Sequence, residues 1–358
     1  MTPLRVLGVA AGFLVVVILA LAALRPDILS LHFGPYVGTC SRDGQIAASE
    51  RQEADTAALS FAQSMVGPTP LAAYSRLAPE ARGAGQQNFL RIAQLVQSRG
   101  PFAPLSVDHT YMLHFKVTPN GIAKIPCVGP DGAMNFVAAE AARVQAHVSL
   151  TAASAKVPQT QWTISLWLAK RASDWTVVGF NFSPSMLAGH TGRDLWRMAQ
   201  QQRQRGHALN AGVLYQMSGE LLQRGQDFQS SEHPAFDQDV ASFKAPAELS
   251  EMRTRPWRLD GQDFPISRIG LFGVGDHQLA LMIGQSQARV LTDQEAEQQD
   301  HRLIDAFVKT HPEWREAFDA IVARTYTPDS TRSYGVVYDR DKGYLTGPRG
   351  PARPVSPL

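Results

Sequence analysis

The sequence predicts an α+β fold in four parts: an N-terminal transmembrane helix, a cone-like domain of helices against an antiparallel sheet, a helical hairpin, and a second small α+β domain. Three observations predict it. An uncharged apolar run extends from Val6 to Leu24. Helical periodicity over residues 53–100 gives way to alternating stretches rich in β-branched and aromatic residues over 107–182. Strand hairpins and helical periodicity then return together over 250–340.

Composition supports a folded chain. With 358 residues there is room for two domains. Hydrophobic residues make up 44% and charged residues 18%, enough for a sizeable core. The net charge of +2 gives no concentrated basic face, so no nucleic-acid partner is expected.

The run VLGVAAGFLVVVILALAAL holds 19 residues without a charge, long enough to span a bilayer core. The membrane is therefore the expected partner of residues 4–24. Arg5 and the α-amino group precede the run, and Arg25, partly offset by Asp27, follows it. This bias favours the N-terminus inside and the bulk of the chain outside the cytoplasm. The run is longer than the apolar region of a cleaved signal peptide, which favours an anchor. The alternatives are cleavage near Ala20-Leu21-Ala22, which would leave a secreted or periplasmic chain, and a buried core helix.

Residues 25–50 read as a connector broken by Gly34, Pro35, Gly38 and Gly44. A cone-like domain is expected over 50–187. Its first helix starts near Glu53, carries Ala54, Ala57, Ala58, Phe61, Ala62 and Met65 at helical spacing, and ends at Gly67-Pro68. A short helix takes Leu71 to Leu77, and a third presents Phe89, Ile92, Ala93, Leu95 and Val96 before Gly100-Pro101. Strands are expected at Val107–Val117, Ile122–Val128, Val144–Thr151, Trp162–Ala169 and Trp175–Phe182, the last two as a hairpin.

A helical hairpin is expected over 190–226, broken at Gly206. Residues 228–250 show no strong pattern. The second domain, 250–340, opens with an Asp260-Gly261 hairpin and a second hairpin from Ile266 to Ile283. Helices at Thr292–Thr310 and Pro312–Thr325 and a strand at Ser333–Asp339 follow. The tail, 347–358, contains four prolines and is expected to lack regular structure.

The segments FAQSM, LAAYSRLAPEAR and LWLAKRASDWTVVGFNF, with the helices-then-sheet order of about residues 50–187, resemble the nuclear transport factor 2-like superfamily. The resemblance implies a curved sheet wrapped around helices into a cone, with Trp175 leading the last strand and packing near Phe61 or Phe89. It leaves the activity open. Asp194 to Arg224, through Trp196, Ala199, Gly206, Ala211 and Tyr215, faintly resembles a tetratricopeptide helix pair. One pair does not make an array, so a single hairpin is the better reading.

Superfamily members often hold an Asp, His or Tyr inside the cone. The matching residues here are Asp108, His109, Tyr111 and His114, with His147 on a later strand. Alternation puts Asp108 and His114 on one face, and His109 and Tyr111 on the other. An Asp–His pair in a dry pocket suits acid–base chemistry, because burial moves such groups toward neutral pKa. The competing reading is that all five are satisfied polar residues on a half-exposed sheet. The ten histidines do not cluster, and no zinc, nucleophile or phosphate-loop motif is present, so no metal or cofactor is expected.

Cys40 and Cys127 are the only cysteines and are expected to pair in an oxidising compartment, the alternative being two separate buried thiols. The bridge would close a loop of about 87 residues, worth about 4 kcal/mol in the chain-entropy model.

These features point to a membrane-anchored, extracytoplasmic, non-catalytic module. It would bind a small apolar ligand in the cone or an envelope protein partner. The alternatives are an enzyme working inside the cone and a purely structural envelope protein. The topology is testable at once: a periplasm-only reporter fused after Leu358 is expected to be active, and a reporter active only in the cytoplasm would contradict it.

Overall fold

The computed structural model describes residues 38–345, apart from residues 84, 120–122, 130–131, 139–141, 156–159, 226–227, 231, 253, 276–277 and 331. The apolar run at 6–24, residues 25–37 of the connector and the tail at 347–358 lie outside the described residues. Among the described residues no helix is long and apolar enough to cross a membrane. The chain is α+β, with eight α-helices among the described residues and a curled antiparallel sheet that forms a half-barrel.

The curled sheet has the order β1-β2-β5-β6-β7-β8, every pair antiparallel. Its strands are β1 (Gly38–Arg42), β2 (Ser106–Phe115), β5 (Val144–Ala153), β6 (Gln161–Arg171), β7 (Asp174–Leu187) and β8 (His190–Thr191). Between β2 and β5, β3 (Ala123–Gly129) and β4 (Gly132–Ala138) leave to form a small separate sheet with β9 (Phe228–Ser230).

Three helices fill the inner face: α1 (Ala48–Val66), α2 (Pro70–Ser75) and α3 (Gln86–Ser98). α1 turns Ala54, Ala58, Phe61, Ala62 and Met65 inward, and α3 turns Phe89, Ala93 and Val96. Leu95, expected on that inner face, is exposed, because its position around the helix falls outside the inward stripe that Phe89, Ala93 and Val96 set. These meet Met112, Val148, Leu150, Ile164, Leu166 and Leu168, which come from one side of the alternating strands. Among the described residues, these side chains fill the inside of the half-barrel.

The aromatic centre of this core differs from the expectation. Phe61 and Phe89 both meet Phe180, each at 5.6 Å between ring centroids. Trp175 packs at the edge of the cluster, with the Lys170 ammonium 5.7 Å from its ring centroid. The cause is a β-bulge. Opposite Trp167 and Leu168, β7 presents Gly179 and then Val177, so Val178 is skipped in the register. One extra residue inverts the alternation. Val177 is buried in the core and the half-buried Phe180 packs against it, although strict alternation places the two on opposite faces.

Beyond β8, a hairpin of α4 (Gly192–Gln204) and α5 (Ala208–Leu222) follows. Thr191 caps α4 by a reciprocal box with Asp194. Gly206 (φ +83°) makes the turn in a backbone conformation that glycine adopts without strain. Residues 228–250, which lack a sequence pattern, form the short helices α6 (His233–Ala241) and α7 (Ala247–Ser250).

The C-terminal unit begins with β10 (Trp257–Leu259) and β11 (Gln262–Phe264), which form their own hairpin. A five-stranded sheet then takes the order β12 (Ile266–Val274), β13 (Gln278–Ser286), β14 (Ala320–Tyr326), β15 (Ser333–Asp339) and β16 (Gly343–Tyr344). α8 (Asp293–Thr310) is the crossover between the parallel strands β13 and β14.

The expected helix Pro312–Thr325 is not formed. Pro312–Glu316 makes a short 3₁₀ turn, and Ala320 to Tyr326 is a central strand. Its run Ala-Ile-Val-Ala sits between two pairing neighbours, where ladder hydrogen bonds and burial on both faces override helical periodicity.

The α4–α5 hairpin shares one apolar core with the C-terminal unit. Leu195, Leu209 and Leu214 join Trp257, Leu271, Leu281, Leu303, Phe307 and Trp314. Within it Asp300 is fully buried and accepts hydrogen bonds from Thr325 Oγ1 (2.7 Å) and Gln285 Nε2 (3.3 Å). Burial pushes its carboxyl up to about 7.

The bulge yields a contrast that can be measured. Phe180→Ala, which removes the half-buried ring that meets both Phe61 and Phe89, should lower unfolding stability by about 3 kcal/mol, the lower end of the range for buried aromatics. Trp175→Ala, at the edge of the cluster, should cost about 1–2 kcal/mol. Chemical denaturation of the two variants checks this, and a larger loss for Trp175→Ala would refute the packing order.

Candidate functional site

The five residues singled out on β2 and β5 do not converge inside the cone, and none belongs to its packed apolar interior. A register irregularity between Val107 and His109 leaves Asp108 exposed at the strand start, its Oδ1 3.7 Å from His109 Nε2. His109 Nδ1 also lies 3.1 Å from Asp43 Oδ2, and the Thr110 N–H donates to Asp43 Oδ1 at 3.0 Å. His114 points toward α1, with Nε2 3.0 Å from Glu50 Oε1. These are peripheral polar pairs.

Tyr111 and His147 behave differently. They face each other across β2 and β5, on the side of the sheet away from α1 and α3. The register continues from His147 to Trp167 and then to Gly179. The next row runs His109, Ser149, Ser165, Asn181. The His147 imidazole stacks on the Trp167 indole, 5.7 Å apart and 13° from parallel. The Trp167 Nε1–H donates to Gln145 Oε1 at 2.9 Å, and Gln145 Nε2 donates to the Ala142 carbonyl at 2.8 Å. Tyr111, His147, Ser149, Ser165 and Trp167 are all buried.

This outer face forms the floor of a cleft of about 750 Å³. His147, Ser165, Trp167, Gly179 and Asn181 come from the sheet, and the end of α5 and the start of α6 supply the other wall, through Gly219, Gln223, His233, Phe236 and Asp237. Ser165 Oγ and His233 Nδ1 are buried and find no hydrogen-bond partner among the described residues. Such atoms are rare in folded proteins, because an unpaired buried polar group costs about 1–3 kcal/mol.

The two walls are held together by backbone contacts. Ser183 Oγ donates to the Gln223 carbonyl at 2.8 Å. Arg224 donates to the carbonyls of Leu221, Gln223 and Pro184 at 2.5, 2.9 and 3.5 Å. Gly225 (φ +99°) passes so close to β7 that a Cβ there would lie 2.9 Å from the Asn181 Cβ. Gly219 leaves room for the Phe236 ring in the same way, at 3.3 Å.

Asp239 locks α6, and with it one wall, onto the helical hairpin. Its carboxylate accepts from Trp196 Nε1 (2.6 Å), Gln200 Nε2 (2.9 Å), the Tyr215 hydroxyl (3.0 Å) and Arg203 Nη1 (3.1 Å). Burial pushes this carboxyl up, but the donors from Trp196, Gln200 and Tyr215 and the Arg203 charge outweigh it, and the carboxyl is held below its usual range.

Cys40 and Cys127 form a disulfide, which ties β1 to β3. Among the described residues, no group of three or more His, Cys, Asp or Glu side chains could hold a metal ion. Of the residues singled out in the sequence, only His147 lines the cleft. Ser165, Gln223 and His233 carry no motif, and Asn181 only begins the short tripeptide Asn181-Phe182-Ser183, which is common by chance. The one signal at Ser165 is its place between Thr163 and Trp167 along β6, an alternation that normally marks a half-exposed face. No family model, no curated protein and no solved structure matches the chain.

The Asp239 clamp can be tested by pH. Its folded pKa is depressed, so its contribution is present above the unfolded value of about 3.9 and is lost as pH falls through the folded value. Asp239→Ala should lower stability at pH 7 by about 2–4 kcal/mol. Below about pH 4 the difference between wild type and Asp239→Asn should shrink in denaturant titrations, and a constant difference would remove the carboxylate from the account.

Proposed function

We propose that this chain is an envelope-anchored, non-catalytic binding module that holds a small ligand in the cleft between the curled sheet and the helical hairpin. The observation that carries the reading is the cleft itself. Its volume of about 750 Å³ falls within the roughly 300–1,000 Å³ of ordinary ligand sites. It also has buried polar groups without protein partners, while the cone interior is packed solid. The expected apolar ligand inside the cone has no room in that core. The likeness to the nuclear transport factor 2-like superfamily finds support in the curled sheet closed over three helices, with the ligand on the opposite face.

Placement at the envelope rests on two independent features. The uncharged run Val6 to Leu24 suits an anchor with the bulk of the chain outside. The Cys40–Cys127 disulfide suits an oxidising compartment, since cytosolic thiols are kept reduced.

Native mass spectrometry of protein taken gently from its own membrane tests the proposal. A small co-purifying mass is expected on the wild type and on Leu71→Trp, a change at an exposed surface position. It should be absent from Asn181→Trp, which fills the cleft. An unchanged adduct on Asn181→Trp, or none on any form, would overturn the reading.

A further inference from the structure

We infer that the ligand of this cleft is an uncharged carbohydrate of one or two sugar rings. The inference rests on the reading of the cleft as a ligand site and narrows it by three physical arguments.

The first concerns hydrogen bonding. Ser165 is 6% exposed, and its Oγ lacks a partner, as does His233 Nδ1 across the cleft. An apolar occupant would seal both atoms away from water and leave them unpaired. The Asn181 and Gln223 side chains add an amide donor and an amide acceptor each. The wall thus offers both donors and acceptors. A sugar hydroxyl donates one bond and accepts two, so a polyhydroxylated ring can satisfy such a wall from either side.

The second concerns charge. The cleft's guanidinium, Arg224, already donates to three backbone carbonyls at the end of α5 and on β7. Asp237 stands at the rim, where its carboxylate disfavours an anion. A cationic ligand would gain little from this one exposed carboxylate, because surface ion pairs contribute about 0–1 kcal/mol. A neutral ligand meets neither difficulty.

The third concerns shape. The Trp167 indole belongs to the floor, held flat by its stack on His147 and its bond to Gln145. Its cross-strand neighbour is Gly179, which has no side chain to cover the ring. A flat, rigid aromatic surface beside amides and hydroxyls suits the C–H face of a sugar ring.

The test uses the full chain in a zwitterionic, sugar-free detergent, followed by tryptophan fluorescence and calorimetry. The probes are maltose, cellobiose and N,N′-diacetylchitobiose, with glucuronate and inorganic phosphate as anions and indole as an apolar probe. At least one neutral disaccharide should bind saturably. Ser165→Ala and Asn181→Leu should each weaken it about ten-fold, the effect of one lost hydrogen bond. Unfolding midpoints measured alongside confirm that both variants fold. Absence of disaccharide binding, or binding that ignores both variants, overturns the carbohydrate class whatever else binds. The cleft reading falls separately, if Asn181→Trp leaves the native-mass adduct unchanged.

Discussion

Burial of the central sheet on both faces is the constraint from which the rest of the structure follows. On β5, β6 and β7, alternate residues enter two different environments. Ile164, Leu166 and Leu168 enter an aromatic and aliphatic core closed by α1 and α3. Thr163, Ser165 and Trp167, between them, are buried as well, on the opposite side. A half-barrel with a filled interior has no room for a ligand inside. The cleft of about 750 Å³ lies outside it, where the end of the α4–α5 hairpin meets the sheet.

The hairpin can take this part because it belongs to the other half of the molecule. Its apolar residues share a core with the C-terminal sheet and α8. Its far end meets β7 through Ser183, Arg224 and the close passage of Gly225. Asp239 accepts from four donors on the two hairpin helices, which fixes α6 against both. The cleft is thus a junction between a curled sheet and a helical unit, a common setting for ligand sites.

Much of the architecture was legible in the sequence, for physical reasons. The face of α1 that carries Phe61 and Met65 is a matter of helical spacing, and the Asp260-Gly261 turn is a matter of local backbone preference. The strand Ala320–Tyr326 was not legible, because its identity comes from a parallel neighbour 40 residues away, Ala280 to Ser286. The bulge at Val178 was hidden as well, since one skipped residue leaves no local signal and yet brings Val177 and Phe180 to the same side of the sheet. The cleft was the least legible feature. Ser165 and Asn181 read as the solvated side of a strand until a helix 40 residues further on covers them. Of the five polar residues singled out on β2 and β5, only His147 lines the cleft.

The central claim is that the sheet's inner face is closed and its outer face open to a ligand. Positions on the adjacent strands β6 and β7 test it most directly, because the only native cysteines, Cys40 and Cys127, are paired. Ile164→Cys on β6 and Asn181→Cys on β7 place single thiols on opposite faces of adjacent strands, Asn181 being the half-buried cross-strand neighbour of Ser165 on the cleft side. Reaction with a small methanethiosulfonate reagent under native conditions gives the accessibility of each. The account predicts that the thiol at 181 reacts at least about a hundred-fold faster, while the thiol at 164 waits for unfolding. Equal rates, or a faster thiol at 164, would place the opening on the inner face and contradict it.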